Sequence, residues 1–214
     1  DPQGYAPDLQ ITTPDDQPEF GRLTHYDLVE EIAEGGMAIV YKAFDRDTDS
    51  VVALKKVATS GSTANEAAIR REIDIYMRIQ KLSCPHLLTV LDIFREEDTY
   101  ALVTEFADGG DLWSLMVGDG GKKDARPLDP GTVKDITMQI AEGIAVLHDN
   151  DIVHRDIKPQ NILRCDDVWK IADFGISKFT NNPVTGYTFQ GAHTLPWAPP
   201  EQSQGAPAAP SADI

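Results

Sequence analysis

From Tyr26 onward the hydrophobic positions fall in short runs broken by turn residues, and they divide the chain into a β-rich first half and a helix-rich second half. Tyr26–Ile32, Ala38–Phe44 and Ser50–Val57 read as three strands, with Asp45-Arg46-Asp47-Thr48-Asp49 as the hairpin turn between the last two. A small antiparallel sheet is the expected opening. Between 64 and 82 the period changes: Ile69, Ile73, Tyr76 and then Met77 or Ile79 recur at helical spacing, with Glu72 on the same stripe. A carboxylate on an apolar stripe needs a partner. Leu87–Phe94 and Tyr100–Phe106 predict two more strands, Asp111–Met116 a short helix, and the Gly- and Lys-rich stretch 118–127 a loop. Thr132 is read as the cap of a second amphipathic helix, 131–149, carrying Val133, Ile136, Ile140, Ile144 and Leu147.

Composition narrows what such a chain can do. With 214 residues and 41% apolar content there is enough material for a core of one large domain or two lobes. A formal net charge of −16 argues against a nucleic-acid or anionic-membrane surface, since both need clustered Lys and Arg. No apolar run approaches the roughly 20 residues of a membrane helix, and no charged-then-apolar leader is present. Cys84 and Cys165 form neither a C-x-x-C pair nor a disulfide framework, so a reducing, cytoplasmic setting is expected. Residues 1–24 read as an acidic, Pro-containing disordered tail or linker: the first 19 hold five acids and no Lys or Arg. The absence of an initial Met, and an end at Asp213-Ile214, fit a segment of a longer protein.

The chemistry concentrates in His154-Arg155-Asp156-Ile157-Lys158-Pro159-Gln160-Asn161, followed by Asp173-Phe174-Gly175. Five fixed letters in H-R-D-x-K-x-x-N recur by chance at roughly one start position in a few million if each has a frequency of about 5%. The string resembles the catalytic loop of the eukaryotic-type serine/threonine protein kinases, and D-F-G resembles their metal-binding turn. That resemblance implies a two-lobed α+β fold: an antiparallel sheet with one helix in the first lobe and hinge, 25–107, and a mainly helical, incomplete second lobe, 108–214. It implies that Asp156 orients the substrate hydroxyl and accepts its proton, that Lys158 stabilises the transferring phosphoryl group, and that Asn161 and Asp173 bind magnesium. ATP and magnesium are the implied cofactors, and protein substrates the implied partners. His154 and Arg155 are given structural and regulatory work, and Phe174 is expected to pack near Tyr76.

Upstream, V-A-L-K ends at Lys55, similar to the family's strand lysine that holds the α- and β-phosphates and pairs with a helix glutamate, here Glu72. Lys56 would point to the opposite face of the strand. The family's G-x-G-x-x-G-x-V aligns with Ala33-Glu34-Gly35-Gly36-Met37-Ala38-Ile39-Val40, in which the first and third glycines are alanines. A methyl group at those places removes conformational freedom where backbone must approach phosphate. Val40, Ala53 and Leu163 complete the implied adenine slot. Glu105, Phe106 and Ala107 resemble the hinge, and Thr104 stands where the family guards the rear of the pocket.

Ile176 to Glu201 resembles an activation segment, with Pro199-Pro200-Glu201 in place of A-P-E. Thr194 fits the threonine that bonds the catalytic Asp and Lys, and Thr180, Thr185 and Thr188 are candidates for regulatory phosphorylation beside Arg155. Asp213 falls on the first turn of the family's buried D-x-W-S helix, so these 214 residues alone are expected to be weakly stable or inactive. A pseudokinase scaffold or allosteric module, favoured by Ala33, Ala38 and the altered A-P-E, is the competing reading. A small-molecule kinase on the same fold is the third.

Overall fold

The structure is a computed structural model that describes residues 22–34, 38–58, 73–96, 99–118, 127–174, Trp197 and 210–214. A 3₁₀ turn at Arg22–His25, on the boundary drawn between tail and domain, leads into β1 (Tyr26–Glu34). β2 (Ala38–Asp45) and β3 (Ser50–Ala58) are joined by the Asp-rich turn. There Asp45 accepts from the Asp47 amide at 2.9 Å and the Thr48 hydroxyl at 2.8 Å, the local bonds that make short polar residues good turn formers. With β4 (Val90–Glu96) and β5 (Thr99–Glu105) they form a five-stranded antiparallel sheet in the order β1-β2-β3-β5-β4.

Alternation along the strands gives the sheet two different faces. Ala43, Val52, Leu54, Phe94, Ala101 and Val103 form a buried cluster on one, with Leu23, Tyr26 and Tyr41 packed against it. Lys56 belongs to this side, its ammonium over the Tyr41 ring. The opposite face follows from register: Val40 lies across from Lys55, Lys42 from Ala53, and Ala53 from Thr104. Directly opposed residues project to the same side. β1 is an edge strand that contributes little to either core, and Asp27, Glu30, Glu31 and Glu34 along it oppose pairing with a foreign strand.

A larger core joins the sheet to the rest of the chain. Tyr76 and Ile79 from α1 (73–79) meet Val90 and Leu102 from the sheet, Ile136 and Leu147 from α3 (Pro130–Asp149), and Trp169, Ile171 and Phe174 beyond. Leu147 and Ile171 are fully buried, worth about 1.5–3 kcal/mol each. Gly143 lets α3 press in closely: a Cβ there would lie 2.9 Å from both the His86 carbonyl oxygen and Ile171 Cδ1.

Three sequence expectations are corrected. The cap of α3 is Asp129, whose Oδ1 accepts from the Thr132 amide at 3.0 Å, and the helix begins at Pro130. Thr132 is the capped residue, and Asp129-Pro130 was the start signal to read. The short helix α2 is Leu112–Val117, with Asp111 outside it as its cap. Leu87 makes only an isolated bridge to Ile171, so β4 starts at Val90. A two-stranded hairpin, β6 (Ile162–Cys165) and β7 (Val168–Ile171), was not anticipated. Its strands of four residues are too short for alternation to announce them.

Candidate active site

The site lies where the Lys55 face of the sheet meets the loop after α3. Lys55 reaches 118 positions along the chain to Asp173, Nζ donating to Oδ1 at 2.8 Å. Burial alone would push the Asp173 carboxyl up, but the charge and hydrogen bond of Lys55, helped by Lys158, hold it below the usual carboxylate range. Asp173 is therefore an anion at neutral pH. It also takes a φ of 56°, a left-handed conformation uncommon for non-glycine residues. Glu72, the expected partner of Lys55, lies outside the described residues, as do Gly35, Gly36, Met37 and Thr194.

Asp156 is the centre of the loop. It is buried, its Oδ2 accepts from Lys158 Nζ at 2.9 Å, and Asn161 Nδ2 donates to its backbone oxygen at 2.9 Å and to Oδ2 at 3.2 Å. Asn161 in turn receives the Ala172 amide on its carbonyl oxygen at 2.8 Å, which fixes the loop against the strand leading to Asp173. One set of bonds thus ties Asp156, Lys158 and Asn161 together and to Ala172, the neighbour of Asp173.

His154 has a structural part in this. It is buried, its ring lies 5.3 Å from that of Phe174, and Phe174 meets Tyr76 edge-on at 5.7 Å. Burial keeps its imidazole below the usual histidine range, against the pull of the Ala172 carbonyl and the neighbouring acids. A neutral ring protonated on Nε2 accounts for both of its bonds: Nε2 donates to the Ala172 oxygen at 2.9 Å, and Nδ1 accepts from the Asp156 amide at 3.2 Å.

Asp213 supports the loop from below. Its buried carboxylate accepts the His154 amide on Oδ2 at 2.8 Å and the Arg155 amide on Oδ1 at 2.7 Å, while His148 Nε2 sits 2.9 Å from Oδ2. Arg155 has a φ of 71°, and the bond from its amide holds that unfavourable conformation in place. Sequence reasoning placed Asp213 at a helix start and missed its bond to the loop, because partners 58 and 59 residues apart leave no periodic signal.

Val40 and Ala53 share the Lys55 face, Thr104 is buried at the row beyond Ala53, and Leu163 and Ala107 pack with Leu88, Cys165 and Ala172 below. These are the residues expected to line the adenine slot, with 105–107 following directly from β5. The Glu105 side chain is turned away to Lys170 (2.7 and 2.8 Å) and the Thr89 amide (2.6 Å), bonds that outweigh burial and lower its carboxyl. This anchors the hinge to β7. Cys165 is an inert neighbour, its thiol pushed up to about 12 by burial and then by the Glu105 charge.

The donor set fits magnesium. The Asn161 amide NH₂ is committed to Asp156, which leaves the amide oxygen for a metal, and Asp173 is held ionised. Magnesium prefers one or two protein oxygens and takes the rest of its shell from phosphate and water. Among the described residues no group of three or more His, Cys, Asp or Glu is placed to hold a metal without that help.

A family model described as "Protein kinase domain" matches residues 26–214. The chain is 33% identical over 195 residues to calcium/calmodulin-dependent protein kinase type IV of Mus musculus, covering 88% of this chain and 38% of that protein. It is 34% identical over 191 residues to the serine/threonine-protein kinase PrkC of Bacillus subtilis, covering 88% of this chain and 28% of that one. Cyclin-dependent kinase 7 of Xenopus laevis is 33% identical over 171 residues, 79% of this chain and 47% of its own length. The chain thus spans less than half the length of these relatives. The chain belongs to the protein kinase family, among the serine/threonine kinases.

Proposed function

We propose that this chain carries the catalytic centre of an enzyme that moves the γ-phosphoryl group of ATP to serine and threonine hydroxyls of proteins. The observation that carries the reading is the pairing of Lys55 with Asp173 beside the bonded set Asp156, Lys158 and Asn161, the two joined through the backbone bond of Ala172 to Asn161. Lys55 supplies the positive charge that steadies the nucleotide's phosphates, and Lys158, beside Asp156, supplies a second to the group in transfer. Asp156 orients the incoming hydroxyl and takes its proton. Bound magnesium, on Asn161 and Asp173, contributes neutralisation of phosphate charge. Adenine enters the slot under Val40 and Ala53 and bonds the backbone of 105–107. We place the reaction in a reducing, cytoplasmic setting, in keeping with two cysteines that are both free thiols.

The direct test is transfer of labelled phosphate from magnesium–ATP to a generic protein substrate by the full-length protein, followed by phosphoamino-acid analysis. Phosphoserine and phosphothreonine are the expected products. Label found on phosphotyrosine alone, or ATP binding with no transfer, would reject the reading, the latter in favour of a scaffold.

Thr104 offers a further check on the slot. Its side chain is small and buried, and its hydroxyl donates to the Glu105 carbonyl at 3.2 Å. Thr104→Met fills the space behind adenine, so ATP-competitive inhibitors with a bulky group there are expected to bind about ten-fold or more weakly, from a steric clash of 1–3 kcal/mol. ATP itself should be little affected. Equal inhibitor affinity in competition assays would show that the pocket does not extend behind Thr104.

A further inference from the structure

A second lysine stands on the nucleotide face of the sheet, and the phosphoryl-transfer chemistry does not use it. Lys42 is two residues from Val40 on β2 and directly across from Ala53, so it projects to the same side as these two slot residues and Lys55. Its ammonium is engaged away from Lys55. Nζ lies 4.9 Å from the centroid of the Phe106 ring and 3.6 Å from Glu30 Oε1. Glu30 is its cross-strand neighbour on β1, and Phe106 is in the hinge. The Lys42 side chain is only 32% exposed. One ammonium therefore connects three parts of the slot's outer rim: edge strand, roof strand and hinge.

We propose that Lys42 is a positioning residue for the nucleotide, a clamp that ties the β1–β2 hairpin down onto Phe106 and so sets the height of the adenine slot at its open edge. Resting on the kinase reading, this gives the clamp a specific purpose. The strand ends that flank the β1–β2 turn carry alanines at 33 and 38, where methyl groups hinder the backbone's approach to phosphate. A hairpin with a weaker grip at its tip gains from being held at its base. An ammonium on an aromatic face is attracted by the ring quadrupole, and partial desolvation strengthens that attraction. Arg would make the same two contacts, whereas Met would fill the space without the charge.

The test compares full-length unsubstituted protein with Lys42→Met, Lys42→Arg, Phe106→Leu and the double variant Lys42→Met/Phe106→Leu. Each is measured for magnesium–ATP affinity with a fluorescent ATP analogue and for KM and kcat. Lys42→Met is expected to raise KM for ATP and the dissociation constant by about three- to ten-fold, the range of a partly exposed cation–π contact, with kcat nearly unchanged. Lys42→Arg should restore most of the affinity. Phe106→Leu should weaken binding similarly, and the double variant should be no worse than the poorer single one, because both remove one contact. Unchanged affinity in Lys42→Met, or strictly additive losses in the double variant, overturns the clamp while leaving the kinase reading intact. Failure of the unsubstituted protein to bind magnesium–ATP overturns both.

Discussion

Asp156→Asn in the full-length protein is expected to lower the rate of phosphoryl transfer by about 10²–10⁴-fold, the usual contribution of a positioned general base, while ATP affinity stays nearly constant. The substitution is close to isosteric and keeps one acceptor oxygen toward Lys158 and Asn161, so the bonds at 2.9 and 3.2 Å can largely survive. What it removes is the carboxylate's capacity to take a proton from the substrate hydroxyl. A loss in kcat without a matching loss in nucleotide binding is the signature of an interaction made in the transition state. Measuring both quantities separates this from collapse of the loop, which would weaken binding as well. If Asp156→Asn retained more than about a tenth of the activity, well above what loss of a general base allows, proton acceptance would have to be assigned elsewhere.

Asp156 could be identified from sequence because its supporting residues lie within five positions of it. Lys158 and Asn161 are fixed by the same short loop, and the loop's composition carried its geometry. The β1, β2 and β3 strands were legible for a similar reason: alternation is a local signal, and the Asp45 turn contains its own hydrogen bonds. Phe174 against Tyr76 was expected from the resemblance, but polar contacts between distant segments of individually unremarkable residues escaped. Glu105 and Lys170 are 65 residues apart, and nothing in either neighbourhood calls for the other. Lys55 bonds Asp173, 118 positions away, a contact its neighbourhood did not announce, while Glu72, its expected partner, lies outside the described residues. The α3 cap was missed differently. Thr132 and Asp129 are both good capping residues, and Pro at the first helical position decides between them.

Asp213 is a further support of the catalytic loop supplied from a distant segment. Asp213→Ala is expected to leave the amides of His154 and Arg155 buried without acceptors and to remove the partner of His148. Each buried, unsatisfied donor costs about 1–3 kcal/mol, so a combined destabilisation of roughly 2–5 kcal/mol follows for the loop in the full-length protein. The cost is increased by Arg155, whose left-handed φ of 71° would lose the bond that maintains it. Asp213→Asn should recover part of the loss, since its amide offers one acceptor where the carboxylate offers two. Hydrogen exchange at the His154 and Arg155 amides reads this out directly: protection should fall steeply in Asp213→Ala and partly in Asp213→Asn, with kcat falling in the same order. Undiminished protection of both amides in Asp213→Ala would mean that the loop is held by the His154–Phe174 packing and the Ala172 bond alone. The reverse result would make the loop's geometry dependent on a residue that never meets the substrate, because a general base works only where its backbone holds it within hydrogen-bond reach of the proton it takes.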